Sequence, residues 1–221
     1  MTAEAELRRE GPADAAVTVV LAHGAGSGMD HPFLAEVAAG LARHGLHVVR
    51  FEFPFRRDQR RTGRRRPPDR LPVLLDSFRH VVAGLAVPRL VVMGKSMGGR
   101  VATLLADELG AAACVVFGYP FHPPRRPTAL RTAHLADLRT PTLLLQGERD
   151  PLGSRTEVAG YTLAPAIQVQ WFADGDHDLA PRRQSGHTAA GHLAAAIAAA
   201  AAFALAPPPP VGSRRPVRST R

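Results

Sequence analysis

The strongest chemical signal in the chain is a serine enclosed by glycines, in the sequence GKSMGG at residues 94–99. The motif follows the apolar run Leu90–Met93 and precedes a helical pattern. A G-x-S-x-G pattern between a strand and a helix is typical of a nucleophile elbow, a sharp turn that raises a serine hydroxyl above a sheet. The pattern predicts that Ser96 is a nucleophile, and an incidental glycine-rich turn is the alternative.

A serine hydroxyl is a weak nucleophile and needs an adjacent base, which an acid in turn orients. Asp150 and His177 each follow an apolar run, in the order Ser, Asp, His along the chain. At the carboxyl ends of strands they can converge on Ser96, so we expect His177 to be the general base and Asp150 to orient it. Considered singly, they read as a turn aspartate and a solvated loop histidine. His187 and His192 are weaker candidates because they lie in the last predicted helix.

A tetrahedral intermediate needs backbone N–H groups directed at its oxyanion. The expected donors are the amide of Met97, directly after the serine, and the amide of Ala25, in a glycine-rich turn after the first clear strand. Gly24 and Gly26 flank Ala25 and are predicted to line the substrate site. A phosphate-binding turn is the alternative, but the full G-x-G-x-x-G spacing is missing.

Further residues are candidates for contact with the substrate. Lys95 is the only lysine of the chain, and it is expected to pair with an acid under the elbow or to meet an anionic substrate, with an ordinary loop lysine as the alternative. Tyr119 and His122 follow another predicted strand and are expected to form a pocket wall. The segment 56–70 holds eight arginines and two aspartates. We expect this loop to flank the pocket and to attract a substrate carboxylate or phosphate, and a solvated surface loop is the alternative.

Length and composition indicate one globular domain over residues 1–206, since the chain has 221 residues, of which 45% are hydrophobic and 21% charged. Residues 207–221 begin with four prolines and hold four arginines, which predicts a disordered tail. The net charge of +9 is concentrated in this tail and in segment 56–70, so the rest of the chain is near −1. This distribution argues against a nucleic-acid-binding face.

The single cysteine, Cys114, excludes a disulfide within the chain and is expected to be a buried core thiol. We expect no cofactor and no metal.

The N-terminus lacks the apolar stretch of a secretory signal, and the apolar segment 193–206 is shorter than the roughly 20 residues of a membrane span. The expectation is a cytoplasmic protein that acts on a small molecule and does not enter a membrane. The sequence carries no signal for an oligomeric state.

Short apolar runs alternate with helical patterns along the whole chain. The predicted strands are Val17–Leu21, His47–Phe51, Leu90–Met93, Ala113–Phe117, Thr142–Gln146 and Ile167–Phe172. The predicted helices cover about 32–44, 71–85, 99–109, 130–138, 154–163 and 184–205. This alternation predicts a three-layer αβα sandwich with a mostly parallel, doubly wound sheet. No long insertion is visible, so we expect little or no lid.

The combined motifs resemble one small group of α/β-hydrolases that is related to dienelactone hydrolases. They are GKSMGGR, AHGAGSGMDHPF, FEFPFRRDQRRTGRRRPPDR, GYPFHPP, QGERDPLG and DGDHD. The group includes bacterial proteins, an animal testis-expressed homologue and the hydrolase-like domain of a chromatin-complex subunit, and the resemblance covers roughly residues 15–205. It implies the α/β-hydrolase fold. Dienelactone hydrolases themselves have a cysteine where this chain has Ser96.

We therefore expect a serine hydrolase that cleaves an ester or thioester of a small molecule through an acyl-enzyme on Ser96. The alternative is a binding or scaffolding module that keeps the hydrolase fold with little turnover. A nucleic-acid-associated protein is a third possibility, and the near-neutral body and the aromatic content of 5% count against it.

Overall fold

A computed structural model describes residues 6–206, which form a seven-stranded sheet covered by helices on both faces. The strands are β1 (Leu7–Glu10), β2 (Thr18–Ala22), β3 (His47–Phe51), β4 (Leu90–Lys95), β5 (Ala113–Phe117), β6 (Thr142–Gly147) and β7 (Ile167–Phe172). The helices are α1 (Pro32–Arg43), α2 (Pro54–Thr62), α3 (Leu71–Ala83), α4 (Met97–Leu105), α5 (Arg155–Val158) and α6 (Ala189–Leu205). The predicted disordered tail, 207–221, lies outside the described residues.

The strand order is β1-β3-β2-β4-β5-β6-β7, with β1 antiparallel to β3 and all the other pairs parallel. The chain runs outward from β2 to β3 and then returns past β2 to β4. In open α/β sheets a crevice forms where the strand order reverses, outside the carboxyl ends of the strands. Here the loops after β2 and β4 flank that crevice, and these are the loops that carry the predicted oxyanion turn and Ser96.

Both faces of the central strands are buried, because each strand contributes alternate residues to two separate cores. In β2, Val19 and Leu21 pack with α1 and α6, whereas Val20 and Ala22 pack with α3 and α4. This arrangement explains why the strands read as continuous apolar runs. Cys114 is also buried, as expected, and burial raises the pKa of its thiol.

The six predicted strands and the α/β layering are confirmed, but two elements were missed. β1 has the charged sequence LRRE, which carries no apolar run. Residues 56–62 were wrongly predicted to lie in a loop and belong to α2, which has Pro54 in its first turn and ends at Gly63 with a φ of 69°. In segments 130–138 and 154–163 the structure has only a 3-10 turn at Ala133–Leu135 and the single-turn α5.

The edge strand β1 is held to β3 by a partly buried ion pair as well as by its ladder of backbone hydrogen bonds. The Arg50 guanidinium bonds both carboxylate oxygens of Glu10 and also donates to the carbonyl of Met29. Its side chain is only 7% exposed. The same arginine thus joins β1, β3 and the loop that precedes α1. None of the helices within residues 6–206 is long and apolar enough to cross a membrane.

We expect Glu10→Ala to lower the free energy of unfolding by about 2–3 kcal/mol, because it leaves the Arg50 guanidinium buried without its carboxylate. Urea denaturation measures the change. Glu36→Ala, at an exposed position of α1, is the control and should change stability by less than about 0.5 kcal/mol. Equal effects of the two substitutions would show that the ion pair does not hold β1.

Candidate active site

Ser96 occupies the sharp turn between β4 and α4, in a strained backbone conformation. It lies between the last residue of β4, Lys95, and the first residue of α4, Met97, with φ 52° and ψ −115°. A positive φ is uncommon for a residue with a side chain and costs energy that the surroundings must supply. The N–H of Ser96 donates to the carbonyl of Phe117 at 3.1 Å, and its own carbonyl accepts from the N–H of Arg100 at 2.9 Å.

The glycines around Ser96 are required because backbone lies directly against backbone. A Cβ on Gly94 would lie 2.3 Å from the carbonyl carbon of Gly98. A Cβ on Gly98 would lie 2.6 Å from the carbonyl oxygen of Ala22, and one on Gly99 would lie 2.2 Å from a methyl of Val116. Side chains at these positions would push β4, α4 and the neighbouring strands apart, so the elbow motif has a steric cause.

Three loops bring Ser96, His177 and Asp150 into one hydrogen-bonded line. The Ser96 hydroxyl lies 2.8 Å from Nε2 of His177, and Nδ1 of His177 lies 2.7 Å from Oδ2 of Asp150. Asp150 is completely buried and His177 is partly exposed. A carboxylate can only accept, so Nδ1–H donates to it and Nε2 is left to accept the serine proton. The arrangement can therefore remove a proton from Ser96.

The turn after β2 lies directly against the nucleophile. A Cβ on Gly24 would be 3.7 Å from the Cβ of Ser96, and Ala25 faces the same cleft. Met97, directly after Ser96, is the first residue of α4, where N–H groups have no acceptor within the helix. Both residues predicted to donate to an oxyanion thus lie beside Ser96.

His23 orients the peptide group of Gly24 and Ala25. Burial lowers the pKa of His23 to about 4, so its ring is neutral at physiological pH. Its Nδ1–H donates to the carbonyl of Gly24 at 2.7 Å, while Nε2 accepts from the N–H of Phe53 at 3.1 Å. Because the peptide group is planar, fixing the carbonyl of Gly24 also fixes the direction of the Ala25 N–H.

A cleft of about 390 Å³ opens above Ser96. Its walls comprise Gly24, Ala25, Gly26, Ser27, His31, Phe33, Leu34, Lys95, Leu152, His177 and Asp178. It therefore contains the predicted substrate contacts at Gly24, Gly26 and Lys95. Apolar walls beside a few polar groups are typical of small-molecule sites.

Tyr119 and His122 do not line this cleft, contrary to expectation. Gly118, with a φ of 66°, turns the chain inward after β5, and both side chains are buried. The Tyr119 hydroxyl donates to the carbonyl of Arg131 at 2.7 Å. His122 hydrogen-bonds the carbonyl of Pro123 at 3.0 Å and lies 3.4 Å from Glu157. Their contacts support the loop that follows β5.

Lys95 pairs with an acid, which lies in the loop that carries His177 and not under the elbow. Its ammonium lies 3.1 Å from Oδ1 of Asp178 and donates to the carbonyl of His177 at 2.7 Å. Burial lowers the pKa of Lys95, and the charge of Asp178 partly offsets this effect. The side chain is thus held beneath the loop that carries His177.

Comparison with known proteins identifies the family of the chain. A profile of the α/β-hydrolase domain family matches residues 15–205. The chain belongs to this α/β-hydrolase domain family. Its fold is the α/β-hydrolase fold, as the sequence motifs indicated.

Solved structures with the same fold include three that cover most of this hydrolase-family chain. An α/β serine hydrolase without a lid, from Xanthomonas campestris, has 20% identity and a TM-score of 0.61, and the match covers 78% of this chain and 80% of that one. The esterase domain of a Rhodothermus marinus protein has 18% identity and a TM-score of 0.63, with 90% and 91% covered. A dienelactone hydrolase from Anabaena variabilis has 22% identity and a TM-score of 0.66, with 91% of each chain covered. At these identities the likeness establishes the fold alone.

Gln146, which no sequence motif indicated, positions Asp150 in this hydrolase fold. Its Nε2 donates to Oδ2 of Asp150 at 2.8 Å, and its Oε1 accepts from the N–H of Tyr119 at 2.7 Å. The N–H of Leu152 donates to the other carboxylate oxygen at 2.8 Å. A glutamine at the end of an otherwise apolar strand is the signal that could have revealed it, because buried polar groups need partners.

No group of three or more His, Cys, Asp and Glu side chains within residues 6–206 lies close enough together to hold a metal ion.

We expect Gly98→Ala to lower the free energy of unfolding by about 1–3 kcal/mol, because the new methyl would overlap the backbone carbonyls of Ala22 and His23. Chemical denaturation measures the change. Gly26→Ala is the matched control in the same cleft, since no atom lies within 4 Å of its added Cβ. A Gly98 variant as stable as the Gly26 variant would show that α4 and the end of β2 do not need this close approach.

Proposed function

We propose that the protein is a serine hydrolase that cleaves an ester or thioester of a small molecule. The observation that carries the proposal is the line of hydrogen bonds from Ser96 through His177 to Asp150, with Ser96 open to a cleft. The three groups have the chemistry and the contacts that acyl transfer needs. Hydrolase family membership supports the same reaction class.

In the proposed acylation step, Oγ of Ser96 attacks the substrate carbonyl carbon while Nε2 of His177 accepts the hydroxyl proton. The carbonyl oxygen becomes an oxyanion that accepts hydrogen bonds from the amides of Met97 and Ala25. Asp150 holds the imidazole in the required tautomer and stabilises the imidazolium. The intermediate then collapses as His177 donates its proton to the leaving alcohol or thiol, which leaves the acyl group on Ser96.

Deacylation repeats these steps with water as the nucleophile. His177 removes a proton from the water, the resulting oxyanion occupies the same donors, and the acid product leaves as Ser96 regains its proton. The cleft above Ser96 is open to solvent on one side, so water can reach the acyl group without movement of a separate domain.

A catalytically weak binding or scaffolding module is the alternative function. The strained backbone of Ser96 favours the enzyme, because such a conformation persists only where the surrounding structure enforces it, and strained residues of this kind cluster at active sites.

Within the family, the motifs GKSMGGR and DGDHD support placing the chain with the dienelactone-hydrolase-related group that includes the testis-expressed and chromatin-subunit homologues.

Ser96→Ala should abolish labelling by a fluorophosphonate probe, because only an activated serine hydroxyl reacts with it. Mass spectrometry of the labelled protein locates the adduct. Ser27→Ala, which alters another serine of the same cleft, should keep its labelling. An adduct at a different serine in the Ser96 variant would refute the assignment of the nucleophile.

Asp150→Asn and His177→Ala should each lower kcat on an activated acyl ester by roughly 10⁴-fold or more, since the three residues act as a unit. The double variant should lose little more than His177→Ala alone. Steady-state kinetics with a shared batch of substrate tests both statements. Near-normal turnover by His177→Ala would mean that a different base serves Ser96.

The proposal extends to the charge of the substrate, through a second pocket of about 480 Å³ beside the cleft. The two share Gly26, Ser27 and His31. Arg56 and Arg60 face this second pocket, as do Asp30 and Glu52. Because they border the scissile-bond site, these charges can select among substrates that extend from it.

Arg56 is the arginine of this second pocket that has no ion-pair partner among residues 6–206. Arg60, in contrast, pairs with Glu52 at 2.7 Å and with Asp30 at 3.0 Å, and Asp30 also lies 3.5 Å from Arg8. Arg56 donates to Gln59 at 3.0 Å, and its buried Nε has no hydrogen-bond partner within residues 6–206. We therefore propose that Arg56 attracts a carboxylate or phosphate of the substrate, away from the scissile bond. Arg64 and Arg65 are exposed and Arg66 pairs with Asp58, so they are less suited to this role.

An anionic ester should show a kcat/KM roughly tenfold above that of a neutral ester with the same acyl group at low salt, through electrostatic attraction. High salt should reduce this advantage, since ions screen exposed charges. Arg56→Gln should remove it, whereas the combined change of Arg64, Arg65 and Arg66 to glutamine should preserve most of it. Equal kcat/KM values for the two esters in the unmodified protein would reject an anionic substrate class.

A further inference from the structure

Lys95 and Ser96 are neighbours in the chain, and both contact His177. Ser96 contacts the imidazole at Nε2, and the Lys95 ammonium donates to the His177 carbonyl at 2.7 Å. The catalytic histidine is thereby attached to the elbow at its ring and at its backbone. The second attachment has no part in the proton transfers of the proposed reaction.

The structure makes room for this contact at Gly118. A Cβ on Gly118 would lie 2.6 Å from the His177 carbonyl oxygen and 3.2 Å from the Lys95 ammonium. Gly118 also has a φ of 66°, which residues with side chains rarely adopt. The end of β5 therefore leaves a passage in which the lysine reaches the histidine backbone.

The Lys95 ammonium is enclosed and has compensating partners on several sides. Its side chain is 7% exposed, and it faces the His177 carbonyl, the Asp178 carboxylate and, at 5.8 Å, the ring of Phe33. Asp178 is 71% exposed on its side chain, so water screens much of that ion pair. The hydrogen bond to the His177 carbonyl is the less exposed of these two contacts. Removing the Lys95 ammonium would leave that carbonyl oxygen without its donor.

The loop that carries His177 needs such an attachment because its backbone is strained. Asp174 and Leu179 both have positive φ values, 54° and 64°. Within the loop, Oδ1 of Asp176 accepts from two backbone N–H groups, and His192 of α6 hydrogen-bonds the carbonyl of Leu179 at 2.9 Å. These contacts shape the loop, whereas Lys95 ties it to the elbow.

We propose that Lys95 is a positioning residue, which fixes the backbone of His177 relative to Ser96 so that the imidazole stays within hydrogen-bond distance of the serine hydroxyl. This inference rests on the proposed function. Since Lys95 holds the backbone of His177, its removal should lower the rate of the chemical steps more than it weakens the binding of substrate.

The test is Lys95→Met, which keeps the length of the side chain and removes its charge and its donors. We expect kcat to fall roughly 10- to 100-fold with KM within about twofold of its original value, because small displacements of reacting groups cost rate. Fluorophosphonate labelling should slow by a similar factor. Arg79→Met, which removes an exposed cation of α3 that is paired with Asp76 and Glu108, is the control and should change neither value.

Proton NMR provides a readout that does not depend on turnover. In the unmodified protein the Nδ1–H of His177, held against Asp150, should give a downfield resonance protected from exchange with water. Lys95→Met should broaden or lose this resonance while the methyl region keeps the dispersion of a folded protein. If Lys95→Met does not fold, Lys95→Gln serves the same comparison, because its amide can still donate to the carbonyl and should retain part of the rate and of the resonance.

Separate results would overturn the two proposals. A folded Lys95→Met with unchanged kcat and an unchanged resonance would show that Lys95 does not position His177. A raised KM with kcat preserved would assign Lys95 to substrate binding instead. Failure of the unmodified protein to label or to turn over any acyl ester would refute the proposed function, whereas the NMR comparison would still decide whether Lys95 holds the histidine.

Discussion

Close packing of backbone against backbone at the turn between β4 and α4 is the constraint on which the site depends. Gly94, Gly98 and Gly99 allow strand and helix to approach to distances that a single Cβ would forbid. The same approach forces Ser96 into its positive φ and directs its hydroxyl into the cleft. Because adjoining strands surround the elbow, the strain is supported by the core and not by the site itself.

Buried polar groups transmit this rigidity to the residues around Ser96. Gln146 connects Asp150 to the backbone after β5, and His23 connects the turn after β2 to the backbone after β3. Each side chain has both a donor and an acceptor role satisfied, so burial does not leave a polar atom unpaired. Satisfied networks of this kind hold groups in one geometry before a substrate arrives, which is the condition for effective electrostatic stabilisation.

The arginine-rich composition has less influence on the fold than its net charge suggests. Many of the arginines are in exposed pairs, such as Arg79 with Glu108 and Arg182 with Asp174, and pairs of this kind contribute little to stability. Charge acquires a specific effect where water is excluded. The buried contacts of Arg50 and Lys95 join separate parts of the chain. Losing either contact would therefore disturb residues that are far from the arginine or the lysine in the sequence.

The amino-acid sequence alone determined the features that depend on near neighbours in the chain. The apolar runs predicted six of the seven strands, the glycine spacing predicted the elbow, and strand-end positions pointed to Asp150 and His177. In the structure His177 lies within hydrogen-bond distance of both Ser96 and Asp150, and the catalytic roles of these three residues stay a prediction.

Tertiary structure decided whatever depends on partners far away in the sequence. β1 becomes a strand because β3 and Arg50 pair with it, and the N–H of Tyr119 finds its acceptor in Gln146 of another strand. Lys95 acquires a specific role only through a carbonyl 82 residues away. Such contacts leave no periodic pattern in the sequence, since they arise when strands separated along the chain are brought to the same edge of a sheet. Which polar residue meets which backbone group is therefore fixed by packing and not by local preference.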